Sequence, residues 1–315
     1  MVHKEKLRRI SFLIAAHNEE KIISTALENL LNLPYEEYEV IIGLDGCTDN
    51  TEDIVRSYVN RSNRFKYFKF NLRKGKSAII NEIIKKASGE IIIINDADWY
   101  FQVKDSKLLK KFLSVFDNPK IGGITESFPV EWHESKLRKG NIGLKMVAYS
   151  TYFWMEFQKR RYAVKNNELY YAKEPALFMT NIFRKDLYRP SSTLADDFER
   201  TADLMLQGYQ VVFFNDPNFP RMIASYDKIL IRDLFKQKIR TAKARSQFFN
   251  KYHLKSNMKN YSLVAAMFIL LSGFKKNIFI GFLMFLWLFL AFLASLIAIM
   301  SKFDTHDGWK IRIRR

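Results

Sequence analysis

Three kinds of residue pattern are scarce in this chain. Cysteine occurs once, as Cys47, so an intramolecular disulfide framework is excluded and a reducing compartment fits. Acid is short: 33 Asp+Glu stand against 51 Lys+Arg in 315 residues, a formal charge of +18. Such an excess favours an anionic partner, which could be nucleic acid, a phospholipid surface or a polyanionic substrate. Long apolar runs are missing from most of the chain. The first, Ile10 to Ala16, is too short for a signal peptide and ends at once in Asn18-Glu19-Glu20. No internal repeat or low-complexity segment occurs.

The exception is the C-terminal region. Ile278 to Met300 holds no charged residue and is dominated by Phe, Leu, Ile and Ala. At about 1.5 Å per residue it reaches across the roughly 30 Å of a hydrocarbon core, and it is expected to span one. Tyr261 to Phe274, shorter, is expected either as the first arm of a hairpin or as a helix lying along the interface. Between Lys228 and Lys259 ten basic residues accompany a single acid, Asp233. Ile231, Phe235, Ile239, Ala242 and Phe249 recur there at helical spacing, which suits a basic helix riding on an anionic leaflet. Basic residues flank the span on both sides, so the positive-inside rule sets no orientation.

Upstream, the pattern alternates. Strands are expected at Ile10–Ala16, Glu39–Leu44, Phe65–Phe70 and Ile91–Asn95. Helices are expected at about Glu20–Leu31, from the capping turn Asp45–Thr51 to Val59, and at Ser77–Ala87. Strands alternating with helices of this length mean βαβ units and a parallel sheet. Farther on, Lys107–Phe116 reads as helix, Gly122–Ser127 as extended, Phe178–Arg184 as strand, Asp196–Gln207 as helix and Gln210–Phe214 as strand. A long aromatic-rich stretch runs from Leu137 to Tyr171.

Within this frame Ile91-Ile92-Ile93-Ile94-Asn95 leads straight into Asp96-Ala97-Asp98. Acids at the C-terminal end of a buried strand sit where open α/β sheets place ligands. Successive positions alternate across an extended backbone, so a turn is needed to bring both carboxylates to one site. Hard oxygen ligands of this kind suit a divalent cation that clamps a diphosphate.

Several segments, in order, resemble the family-2 glycosyltransferases, enzymes of the GT-A fold. Ala15-Ala16-His17-Asn18-Glu19-Glu20 is similar to the family's opening Pro-Ala-Tyr-Asn-Glu-Glu. Leu44-Asp45-Gly46-Cys47-Thr48-Asp49-Asn50-Thr51 is similar to Asp-Asp-Gly-Ser-Thr-Asp-x-Thr, with Leu44 in place of the first Asp. Lys74-Gly75-Lys76 through Asn81 resembles Gly-Lys-x-x-Ala-Leu-Asn, and Asp96-Ala97-Asp98 the D-x-D. Ala195-Asp196-Asp197, with Leu204 and Gly208-Tyr209, resembles the Glu-Asp motif and its sequel. Gln237-Lys238-Ile239-Arg240-Thr241 resembles Gln-x-x-Arg-Trp without the Trp.

The resemblance covers residues from about 9 to 241. It implies an α/β domain of GT-A type with a mostly parallel sheet over residues 1–227. A basic interfacial region (228–260), a membrane region (261–300) and a basic tail (301–315) would follow. The implied activity moves a sugar, with inversion, from a nucleotide-diphosphate donor to a lipid-linked or membrane-proximal glycan acceptor, at the cytoplasmic face of the cell membrane. Asp98 and Asp96 would hold Mg2+ or Mn2+, neutralising the departing diphosphate. Ala15, His17, Glu19 and Asp45 would hold the nucleobase and ribose, with Asp96 and Lys76 toward the phosphates. Asp197 matches the base and Asp196 stands beside it, while Gln237 and Arg240 would touch diphosphate or acceptor. A polyprenyl-phosphate sugar transferase and a polysaccharide synthase are the enzyme alternatives. A membrane-tethered nucleic-acid binder is the non-enzyme one, but no nucleic-acid motif occurs and the basic run abuts the membrane segment, so no nucleic acid is expected.

Overall fold

The computed structural model describes residues 8–126, 139–224, 228–252 and 261–300. The expected basic tail, and residues 253–260 of the interfacial region, lie outside the described residues. Strands β1 (Ile10–Ala16), β2 (Tyr38–Asp45), β3 (Phe65–Phe70) and β4 (Ile91–Ile94) alternate with helices α1 (Ile23–Leu31), α2 (Thr51–Arg61) and α3 (Lys76–Ile83). After β5 (Trp99–Gln102) come α4 (Ser106–Ser114), β6 (Ile121–Thr125) and the long helix α5 (Ile142–Tyr162). Then follow β7 (Ala163–Asn166), β8 (Leu169–Ala172), β9 (Thr180–Arg184), α6 (Asp196–Leu206), β10 (Gln210–Phe214) and β11 (Arg221–Ala224). Helices α7 (Ile231–Tyr252), α8 (Tyr261–Lys276) and α9 (Ile278–Met300) close the chain.

The main sheet has the order β3-β2-β1-β4-β9-β6-β10-β8-β7. β1 pairs in parallel with β2 and β4, β2 with β3, and β6 with β10, whereas β9 and β8 run against their neighbours. All strands except β8 and β9 therefore point the same way, and their C-terminal ends share one edge. A separate ribbon pairs β5 with β11.

Alternation along β1 sorts the core. Ile10, Phe12 and Ile14 face α1, α2 and α4, together with Val40, Ile42, Ile91 and Ile93. Leu13 and Ala15 face α3 and α6, with Ile41, Ile92 and Ile94. Strands covered on both faces must be apolar at nearly every position, which is why β4 reads Ile-Ile-Ile-Ile.

A second layer of helices packs over this sheet. Leu144, Met146 and Phe153 of α5 meet Ile269 of α8 and Ile280, Leu283 and Met284 of α9. α8 folds back on α9 as a hairpin. At the crossing, a side chain on Gly281 would lie 2.2 Å from the Phe274 ring, so only glycine allows this approach. Asn277 Oδ1 accepts the Ile280 N–H at 2.9 Å and starts α9. α9 is long and apolar enough to cross a membrane, with mean hydropathy 2.7 and only 17% of that window buried in protein. The outer face of α8 is also apolar and exposed, through Leu263, Met267, Leu271 and Phe274. α7 lies between the two layers. Ala244 and Phe248 pack on Ala195 and Ala202, Lys251 reaches Glu199 at 2.8 Å, and Lys238 lies against Trp287.

Candidate active site

The shared C-terminal edge of β1, β2 and β4 forms one wall of a cavity of about 1380 Å3. The turn after β4 does what the two acids require. Trp99 N–H donates to the Asp96 carbonyl at 3.0 Å, and the buried Asn95 amide donates to the carbonyls of Asp96 and Trp99 at 2.8 and 2.9 Å. Asp96 and Asp98 thereby line the same cavity. Among the described residues no group of three or more His, Cys, Asp or Glu is placed to hold a metal ion. Two carboxylates without a protein cage suit a cation that completes its shell with phosphate oxygens and water.

Asp45, fully buried, accepts the Lys74 N–H at 2.6 Å and the Gly75 N–H at 2.8 Å. This fixes the loop that presents Lys76. Gly75 sits at φ +92°, a left-handed conformation open to glycine. His17 donates from Nδ1 to the Asp45 carbonyl oxygen at 2.6 Å. His17 and Asp45 therefore brace the rim and do not line the cavity, whereas Ala15 and Glu19 do.

Lys76 joins the strand-end acids to the helix that follows β9. Its ammonium lies 2.6 Å from Asp96 Oδ1 and 3.8 Å from Asp196 Oδ2. Burial would lower its pKa, but Asp196 and Asp96 outweigh that and raise it, so it stays charged. Arg200 donates to Asp196 Oδ2 at 2.8 Å and from Nε to the Thr180 carbonyl at 2.7 Å. The adjacent acids are thus separated in character. Burial would raise the Asp196 carboxyl, but Lys76 and Arg200 hold it down at about 2. Burial, with Asp196 beside it, pushes Asp197 up to about 6. Two carboxylates with pKa values driven apart can take different roles.

Gln237 and Arg240 reach the same cavity from α7, and Arg240 is near enough to Asp196 to help hold it ionised.

Four contributors were not foreseen from the sequence. Glu126, directly after β6, is buried and accepts from the Asn181 amide. Burial and the nearby Asp197 and Asp96 raise it to about 8, against the pull of Asn181. Its signal was the one that marked Asp96, an acid ending an apolar strand. Glu199, fully buried, accepts from Ser192 N–H at 3.1 Å and Thr193 N–H at 2.7 Å, shaping the loop before Asp196. Lys238 and Arg245 line the cavity from α7. They stand seven residues apart, two helical turns, and so share a face.

The model of the family described as Glycosyl transferase family 2 matches residues 11–187. The poly-beta-1,6-N-acetyl-D-glucosamine synthase of Staphylococcus epidermidis is 34% identical over 124 residues, which is 37% of this chain and 30% of that protein. The protein of the same description from Staphylococcus aureus is 32% identical over 127 residues, 38% of this chain and 31% of that one. The matched stretch thus spans less than a third of these relatives. Among solved structures, the mannosyltransferase PcManGT from Pyrobaculum calidifontis, in complex with GDP-Man and Mn2+, has a TM-score of 0.57 at 18% identity. The match covers 97% of this chain and 79% of that one, and it shows the fold.

Proposed function

The chain belongs to glycosyl transferase family 2, and we propose that it moves one sugar, with inversion, from a nucleotide-diphosphate sugar to a hydroxyl of a lipid-linked acceptor. The observation that carries this reading is the continuity of the cavity. One end holds Asp96, Asp98, Lys76 and Asp197, and the other is lined by Ala265, Ala266 and Ile269 of α8 and Trp287, Leu288, Ala291 and Phe292 of α9. A polar donor and an apolar tail can therefore enter one site.

Asp197 takes the proton of the acceptor hydroxyl. The acceptor's oxygen bonds to the anomeric carbon from the face opposite the diphosphate, and the carbon–oxygen bond to the diphosphate breaks with its electron pair leaving on phosphate. A pKa near 6 leaves Asp197 ionised at neutral pH yet basic enough to accept that proton. Asp196, paired with Arg200, anchors the start of α6. Lys76 is available to the departing diphosphate. Asp98 and Asp96 fit Mg2+ or Mn2+, which when bound would offset leaving-group charge. The Mn2+ and GDP-Man held by PcManGT are consistent with such a donor site. The catalytic domain is read as facing the cytoplasm, with α8 and α9 in the membrane.

The test is turnover of a nucleotide-sugar panel, UDP-N-acetylglucosamine and GDP-mannose first, with Mn2+ and a membrane lipid extract as acceptor. Asp197→Asn should cut transfer about 100-fold or more, the usual contribution of a general base, while the nucleotide sugar still protects the variant against heat. Near-normal transfer in that variant would refute the assignment. A second reading, processive polymer synthesis, is favoured by the similarity to the staphylococcal synthases. Product size separates the two: one added sugar against a ladder.

A further inference from the structure

The two acids at the start of α6 are held in different ways. Asp196 is gripped by side chains, Arg200 at 2.8 Å and Lys76 at 3.8 Å. Asp197 is not. Among the described residues its carboxylate accepts only the N–H of the next residue, Phe198, at 2.9 Å. Its direction is therefore set by the backbone entering α6, and Ala195 at the N-cap has no side chain to fasten that backbone. The fastening comes from the last turns of α7. Leu194 N–H donates to Gln247 Oε1 at 3.0 Å. Ser192 and Thr193 N–H donate to the Glu199 carboxylate, and Lys251 clamps that carboxylate at 2.8 Å. Gln247 and Lys251 stand four residues apart and so share a face of α7. Between them the Phe248 ring meets the Phe198 ring edge-on, centroids 6.3 Å apart.

We propose that Gln247 and Lys251 are positioning residues for Asp197, Gln247 holding the loop at Leu194 and Lys251 holding it through Glu199, so that α7 aims the base. This rests on Asp197 as the base and adds what directs it. Three consecutive backbone donors just before the acids end on acceptors that α7 supplies or clamps. Releasing one of them lets the loop turn toward water, because a freed N–H seeks another acceptor. Asp197 would then leave the line of attack, and a small misplacement of a reacting group is costly. The charges acting on Asp197 are Asp196 and Arg200 of α6, Lys76 of α3 and Glu126 after β6. Gln247 is neutral, so its replacement changes position without changing that field.

The test is the pH profile of donor hydrolysis by full-length protein in neutral detergent, with Mn2+ and UDP-N-acetylglucosamine or GDP-mannose. Gln247→Met keeps the side chain's length and removes its acceptor. It should lower kcat about 10- to 100-fold, the scale of a misplaced reacting group, and leave the donor KM unchanged. Burial raises Asp197 to about 6, so a base turned toward water titrates lower. The acid limb of the variant should therefore move down by about one pH unit. Lys251→Met should lower kcat with the donor KM unchanged, and Lys251→Arg should restore most of it. Wild-type kcat and an unmoved limb in Gln247→Met would overturn the positioning role and leave Asp197 as the base. A lower kcat with an unmoved limb would make the contact structural only and overturn the role as well. A rise in donor KM at constant kcat would assign the loop to donor binding instead. A wild-type profile without an acid limb would remove Asp197 as the base, and the positioning role with it.

Discussion

The two walls of the cavity differ in how the chain builds them. On the sheet side each acid follows a buried strand: Asp96 and Asp98 follow β4, and Glu126 follows β6. Strand and side chain are neighbours in sequence, and hydrogen bonds from within the same turn set their direction. On the helical side Trp154, Lys238, Arg245 and Trp287 come from α5, α7 and α9 and meet only when the helices pack. The first wall resembles a motif and the second a tertiary assembly. Damage to the first should therefore stop chemistry on the donor itself, even with water as acceptor. The membrane-facing surface should decide where the protein resides.

The largest effect is expected at Asp98. If the sheet wall handles the departing diphosphate, Asp98→Asn should lower donor hydrolysis and transfer alike by about 100- to 1000-fold, as when a preorganised stabiliser of developing charge is removed. EDTA should do the same to wild type and leave the variant unchanged. A variant that loses transfer and keeps hydrolysis would break the comparison.

Acid should act next. If Asp197 is the base it must be ionised to accept a proton, and burial with Asp196 beside it pushes it up to about 6. Hydrolysis should be flat above that pH and fall about tenfold per unit below it. A flat profile down to pH 5 would exclude Asp197 as the base.

A milder effect is expected at the opposite end of β2, where a buried acid serves structure alone. Glu39 accepts from Ser11 Oγ at 2.7 Å, Ser88 N–H at 2.6 Å and Ser88 Oγ at 2.7 Å. Burial would raise this carboxyl, but Ser88, Ser11 and Lys66 hold it near 2. A depressed folded pKa means its stabilisation is complete above the unfolded value of about 4.5 and is lost as pH falls toward 2. Glu39→Gln should cost about 3–4 kcal/mol near neutral pH, from about 1.4 kcal/mol per pKa unit. Chemical denaturation measures this, and donor turnover of the folded variant should be unchanged. Loss of turnover at full stability would mean that both ends of the strand serve the reaction.

The smallest effect concerns salt. If α8 and α9 insert in a bilayer, their exposed apolar faces would hold the full chain by burial, which ions do not screen. A wash in 1 M salt should leave it on membranes and detergent should release it. Release by salt alone would remove the spanning assignment.

How much of this was legible follows the same division. β1, β3, β10 and α9 coincide with their expected spans because apolar runs bounded by polar turns are local signals. Asp96 and Asp98 stood out for the same reason, Lys76 and Asp197 only through the resemblance to family motifs, and all four line one cavity. The aromatic-rich stretch, to which no element was assigned, holds α5 followed by β7 and β8. α5 packs on α8 and α9 and also on the sheet layer through Phe157 and Phe213. A helix covered on two sides shows no single apolar stripe. The β5–β11 ribbon joins two four-residue strands, Trp99–Gln102 and Arg221–Ala224, and short partners far apart leave no local trace. Glu199 stands in the acidic first turn of α6, where a helix N-terminus favours an acid in any case. Its bonds to Thr193 and Lys251 exist only in three dimensions.

The central claim is a single displacement at the anomeric carbon with Asp197 as base, and the stereochemistry of the first-formed product tests it most directly. Full-length protein would hydrolyse the α-linked donors UDP-N-acetylglucosamine or GDP-mannose in the presence of Mn2+, with proton NMR recording the free sugar before it mutarotates. Attack from the face opposite the diphosphate predicts the β anomer, and Asp197→Asn should abolish its formation. An α anomer from the wild-type protein would contradict the account.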